Sequence, residues 1–228
     1  GGNVWGQIGD GTNLDQHTPE AVNSLSTQVT AIAAGLGHSL AIQNGAVYAW
    51  GYNAYGQVGN ATTTNQNAPV VVKGLTSGVT AVAGGGCFSL AIQNGSVLAW
   101  GDNSLGQLGN GTSGDYSDTP LLVNDLNNIV EVAASAYSSY ALGDDGILWA
   151  WGDNGPGTLG QGESGSPYLI PIQVPAPNGY RFTSISSNAN GFSVVATLAP
   201  ISESVPEPAS LILLGVGLCG LLASRQRG

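Results

Sequence analysis

Few residues in this chain are of a type that does chemistry. His17 and His38, Cys87 and Cys219, and a group of loop acids are the candidates. A histidine serves as acid, base or metal ligand near neutral pH. His17 lies in a polar stretch with no evident partner, and His38 stands where the other copies of its segment carry Phe88, Ser138 and Phe192. A position that accepts Phe and Ser is structural. Asp102, Asn110, Asp115 and Asp118 gather along one stretch and suggest calcium. Their spacing departs from the calcium loop D-x-[DN]-x-[DN]-G, and a hard cation needs six or more converging oxygens. They read as solvated loop acids. Asp144-Asp145-Gly146 reads as a hairpin turn. The two cysteines lie in unlike regions, without zinc spacing, and no disulfide joins them in this reading. No phosphate-cradling loop, nucleophile elbow or paired-carboxylate motif is present. The expectation is a non-enzyme with no catalytic residue, no cofactor and no metal.

Composition narrows the class. Charged residues are 8% of the 228, against roughly 25% in ordinary domains. The 36 glycines and abundant Ser, Thr and Asn indicate a β protein rich in tight turns. Up to Val205 two basic residues, Lys73 and Arg181, face thirteen acids. Such a surface repels phosphate backbones, so nucleic acid is excluded as a partner.

The elements that must position any site come from an internal repeat. Residues 49–60 read A-W-G-Y-N-A-Y-G-Q-V-G-N, residues 99–110 A-W-G-D-N-S-L-G-Q-L-G-N, and residues 150–161 A-W-G-D-N-G-P-G-T-L-G-Q. Residues 1–9 fit the same frame without its opening Trp. Pro19, Pro69, Pro120 and Pro171 recur 50, 51 and 51 residues apart, each before a β-prone triplet. Because Pro cannot donate to a central ladder, each is expected at the start of an outer strand or at its entry. Alternating strands follow at Val29–Ala33, Val79–Ala83, Ile129–Ala133 and Phe182–Ser186, then apolar strands at 39–42, 89–92, 140–142 and 193–196. Asn44-Gly45, Asn94-Gly95 and Asp145-Gly146 predict two-residue type I′ hairpins into strands ending at Trp50, Trp100 and Trp151. Four short strands in about 50 residues, with a fixed Gly/aromatic motif, describe a propeller blade. Trp50-Gly51, Trp100-Gly101 and Trp151-Gly152 are read as structural, the indoles packing between blades and the Asn and Gln satisfying turn backbone.

The W-G-x-N-x-x-G-Q-L-G phrase, with the upstream G-x-x-H-S-L-A-I of Gly35 to Ile42, resembles the regulator of chromosome condensation repeat over residues 1–199. Kelch repeats share the period but lack this phrase. The resemblance implies an all-β, seven-bladed propeller, one blade of which is commonly completed by strands from both chain ends. At about 50 residues a blade, seven blades need about 350 residues. About four are visible, and the last stops after its third strand. The expectation is an open arc with an exposed blade face at its N-terminal end, with roughly three blades and an export signal upstream.

Residues 200–204 read as a linker, and the pattern then changes. Pro206-Glu207-Pro208 precedes the apolar run Ala209 to Ala223, and Arg225 and Arg227 close the chain. As a helix, that run spans about 22 Å, short of a roughly 30 Å hydrocarbon core. Its basic end and lack of a polar face still argue for a membrane helix with cytoplasmic arginines. The order resembles the PEP-CTERM sorting signal of Gram-negative bacteria over residues 205–228. That resemblance implies export across the inner membrane, transient anchoring by the helix, recognition by an exosortase, and release to the cell surface or extracellular matrix.

Recognition is expected where blades differ, because loops on a rigid scaffold carry binding. The segments 60–68, 110–119 and 160–170 vary, and Asp115, Tyr116, Asp118 and Tyr168 are their candidate contacts. The resulting reading is a surface-sorted, non-catalytic scaffold for a protein or extracellular polysaccharide. Inhibition of a secreted enzyme is an alternative. Guanine-nucleotide exchange, known in eukaryotic members of the family, is disfavoured by the export tail and acidic surface.

Overall fold

The protein is described here by a computed structural model covering residues 1–25, 27–201 and 214–215. Three four-stranded antiparallel meanders follow one another, and a three-stranded sheet completes the arc. The first sheet is β1 (Val29–Ala34), β2 (His38–Gln43), β3 (Ala46–Gly51) and β4 (Gln66–Val71). The second is β5 (Val79–Gly84), β6 (Phe88–Gln93), β7 (Ser96–Asp102) and β8 (Tyr116–Leu122). The third is β9 (Ile129–Ala134), β10 (Ser138–Gly143), β11 (Leu148–Asn154) and β12 (Gly165–Val174). The fourth holds β13 (Tyr180–Ser187), β14 (Val194–Pro200) and β15 (Leu214–Gly215). Inner strands pack in chain order, β1 on β5, β5 on β9 and β9 on β13, which makes the open propeller arc.

The register repeats from sheet to sheet. Ser39 faces Trp50, Ser89 faces Trp100 and Ser139 faces Trp151. Both faces of each sheet are apolar, so the cores lie between sheets. Leu40, Ile42, Val47, Val58 and Val72 of the first blade close on Ala91 and Trp100 of the second, and a like cluster joins the second blade to Trp151 of the third.

Several expectations are corrected. Pro69, Pro120 and Pro171 lie inside β4, β8 and β12 rather than at their starts. Each falls where the pairing slips opposite the Trp, between Ala49 and Gly51, Ala99 and Gly101, or Ala150 and Gly152. A bulge on an outer strand has no ladder bond to lose there. The Pro19 segment forms no strand. Asn44 and Gly45 both have positive φ (55° and 75°), as do Asn94 and Gly95 (53° and 78°), matching type I′ turns. In the third hairpin only Gly146 is positive, and the Gly143 N–H to Ile147 carbonyl bond closes a longer loop.

In the fourth sheet Ile185 pairs with Ala196 as Val82 pairs with Ala91, so Val194, not Ser193, holds the Ser39 position. Phe192, matched by sequence to buried His38, is accordingly exposed. The anticipated helix over 209–223 falls outside the described residues except at Leu214 and Gly215. These two are extended and pair with Ala196 and Val195. An open strand edge offers backbone groups that only an extended partner satisfies. Among the described residues no helix is long and apolar enough to cross a membrane.

Candidate functional site

The repeat phrase builds a rigid turn at one end of each sheet. Asn53 is fully buried; its Oδ1 accepts the Val58 N–H at 2.8 Å, and its Nδ2 donates to the Thr62 and Thr64 carbonyls, both at 2.9 Å. Asn3, Asn103 and Asn154 repeat that pattern. The Gln of each phrase pins the residue two before it: Gln7, Gln57 and Gln107 accept from the N–H groups of Trp5, Tyr55 and Leu105. The Gln backbone carbonyl then receives the next blade's indole, from Trp50 at 2.9 Å, Trp100 at 2.8 Å and Trp151 at 2.9 Å. Ser39, Ser89 and Ser139 donate to the same three carbonyls. Gly59 fits beneath the Trp100 ring; a Cβ there would meet Nε1 at 2.7 Å, and φ is +74°.

On these turns three aromatic rings form a row. Trp5 and Tyr52 lie 5.0 Å apart between centroids, and Tyr52 meets Tyr55 edge-on at 6.4 Å. Trp5 is 36% and Tyr55 42% exposed, so the row presents aromatic surface from a backbone already fixed by Gln7 and Gln57. Burial raises the Tyr52 hydroxyl pKa, with Cys87 and Tyr55 adding to it, so the ring stays neutral. Sequence reasoning passed over these residues because they sit inside the phrase it assigned to architecture. The available signal was the variation within that phrase. Tyr52 is replaced by Asp102 and Asp153 in the other copies, and Tyr55 by Leu105.

That replacement has a structural consequence. Asp102 Oδ2 accepts the Gln107 side-chain amide at 2.8 Å. With tyrosine at 52, the equivalent Gln57 Nε2 is buried with no partner. An unsatisfied buried donor costs about 1–3 kcal/mol.

The residues proposed from sequence are dispersed. Tyr116 is exposed at the start of β8, and Asp115 is spent on the Tyr116 N–H. Asp118 is half-buried in β8, where its carbonyl accepts the Ala61 N–H. Tyr168 lies in β12 and packs against the third interblade core rather than in a loop. Asp102 caps the Ser104 N–H and hydroxyl. Among the described residues no three His, Cys, Asp or Glu side chains converge on a metal position. Burial, then Asp102, raises the Cys87 thiol pKa, which disfavours the reactive thiolate. The inner groove is about 330 Å³, lined by small and apolar residues such as Ala33, Val82, Ala133 and Ile185, with Ser186 and Ser187. Pro206, Glu207, Pro208, Arg225, Arg227 and Cys219 lie outside the described residues.

The fold is shared with solved propellers. Human WBSCR16 superposes with a TM-score of 0.74 at 23% identity, over 86% of this chain and 53% of that one. Prp20p of Saccharomyces cerevisiae, whose structure was described with its binding to Gsp1p and histones, gives 0.66 at 19% identity, over 77% and 45%. The yeast protein bound to Kap60 gives 0.66 at 20%, over 77% and 43%. The chain thus spans about half the length of the structures it resembles. No curated protein matches it in sequence. The PEP-CTERM protein-sorting motif matches residues 204–227. The regulator of chromosome condensation (RCC1) repeat matches residues 1–42, 44–92, 94–142 and 145–194, each copy running from one sheet into the next. With that phrase, its conserved register and this fold in one molecule, the chain belongs to the RCC1 repeat family.

Proposed function

We propose that this protein is an exported, surface-sorted propeller that binds a protein or extracellular polysaccharide without catalysis, through the row Trp5, Tyr52 and Tyr55. The carrying observation is the tyrosine at position 52. It places a ring between two others while leaving Gln57 Nε2 buried without a partner. A local rule broken at the expense of stability points to a position kept for function. Exposed aromatic area on a rigid scaffold suits apolar faces of sugar rings or an interface anchor. The net charge of −10 selects neutral or basic ligands over anionic polymers. Residues 1–199 act as the binding unit, 200–204 as a linker and 205–228 as the sorting segment. Tyr116 and Asp115 lie on the periphery as secondary contacts.

The test is retention of exopolysaccharide or protein partners by the full chain, compared with Trp5→Ala/Tyr55→Ala. Loss of retention with unchanged unfolding supports the reading; unchanged retention overturns it. For sorting, the PEP-CTERM motif supports exosortase as the processing partner. Cells lacking exosortase, or carrying Glu207→Ala, are expected to accumulate a form that keeps Arg225 and Arg227. Intact arginines on the protein from normal cells would refute processing.

A further inference from the structure

Of the three blades that carry a W-G pair, only the first builds a seat for the aromatic row. In each of them the N–H of the residue after that pair donates to a turn carbonyl: Tyr52 to Gly37, Asp102 to Cys87 and Asp153 to Tyr137. Gly37 therefore stands where the later blades carry a side chain. A Cβ there would lie 2.9 Å from Trp5 Cε3, 3.0 Å from Cζ3 and 3.2 Å from Tyr52 Cβ, and its φ is outside the left-handed region. The backbone does not call for glycine at 37; the Trp5 ring does. Glycine at 37 and tyrosine at 52 are thus one feature, an indole laid against the main chain with a tyrosine beside it.

The charge around this feature is one-sided. Aromatic faces are negative and attract cations within about 6 Å. The loops that bear the row, residues 3–11 and 52–59, contain no basic side chain, and Lys73 and Arg181 are the only Lys or Arg among the described residues. Cys87 adds to the burial that raises the Tyr52 hydroxyl pKa, and Asp102 adds to the burial that raises the Cys87 thiol, which places the three in one neighbourhood. The Asp102 carboxylate accepts only from neutral donors, the Ser104 N–H and hydroxyl and the Gln107 amide, so its charge is uncompensated. The ring planes meet at 45° and 69°. A flat sugar ribbon stacking on successive rings needs nearly parallel faces, which this row does not offer. Alternate side chains of an extended chain lie about 6.4–6.8 Å apart on one face, close to the 6.4 Å between Tyr52 and Tyr55. Guanidinium planes stack on aromatic faces and are more weakly hydrated than an ammonium.

We infer that the row docks an extended, arginine-bearing segment of a partner protein, with guanidinium groups at alternate positions stacked on Trp5 and Tyr55. This rests on the binding reading above and names its ligand. Three probes are titrated into the full chain at physiological salt: end-capped Gly-Arg-Gly-Arg-Gly, the same peptide with citrulline, a neutral isostere, at both arginines, and cellohexaose. The Trp5 indole N–H resonance is followed by NMR, and the heat of binding is measured in parallel. The inference expects a saturable shift with the arginine peptide and binding of the citrulline form weaker by roughly fivefold to thirtyfold. It also expects loss of peptide binding in Trp5→Ala/Tyr55→Ala. Citrulline binding equal to arginine overturns it, as does tighter binding of cellohexaose at Trp5; in both cases the row stays a binding surface and only its ligand changes. Undiminished peptide binding by the double variant overturns it too, since the general acidity of the surface then accounts for the attraction. The citrulline comparison needs no variant, so misfolding of the double variant leaves the test intact. Absence of a saturable shift with the arginine peptide overturns the inference, while retention of native partners decides the binding reading independently.

Discussion

Replacing His38 with Phe should remove an acid-sensitive step from the stability of the first interblade joint. His38 is 1% exposed, and desolvation depresses its pKa from 6.5 to about 4, partly opposed by the Phe88 backbone as an acceptor. The Ser89 hydroxyl donates to the Gln57 carbonyl, so it accepts from His38 Nε2–H at 2.9 Å and fixes that tautomer. Nδ1 is buried without a partner and offers a proton no favourable site. Between about pH 6.5 and 4 the unfolded chain therefore binds a proton that the folded one refuses, and stability falls as pH falls through that window. At pH 5 the loss amounts to about 2 kcal/mol for a pKa near 4 against 6.5. Phe is tolerated, since Phe88 fills the same place in the second blade against Gly85 as His38 does against Gly35. Urea unfolding at pH 7.5 and pH 5 is expected to show wild type losing about 2 kcal/mol more than His38→Phe. NMR of the His38 Cε1 proton should place its midpoint near 4. Equal pH dependence in the two proteins, or a midpoint near 6.5, refutes the reasoning.

Three further substitutions test the scaffold. Tyr52→Asp restores the carboxylate that Gln57 lacks, so it should raise stability by about 1 kcal/mol while lowering ligand retention; a destabilised variant would contradict the origin of the orphaned amide. Asn53→Ala leaves the Val58 N–H and two loop carbonyls without their partner, and should lose about 2–3 kcal/mol in urea unfolding. Gly59→Ala meets both a positive φ and the Trp100 ring, so a loss above about 2 kcal/mol is expected, with a change in Trp fluorescence. A near-neutral result there would show that the joint yields more readily than its packing implies.

Period, hairpin signals and composition determined the blade architecture from sequence alone, because alternation and Asn-Gly turns act over a few residues and recur. The tail's sorting motif was equally legible, its three parts being contiguous. Tertiary structure decided what depends on neighbours across blades. Tyr52 and Tyr55 lie in one phrase and Trp5 in the preceding one, and only stacked sheets make them a row. Pro69 reads as a strand start, yet a bulge opposite Trp50 accommodates it within β4. Ser193 and Phe192 match their counterparts by letter, but pairing with β13 shifts the register and turns Phe192 outward.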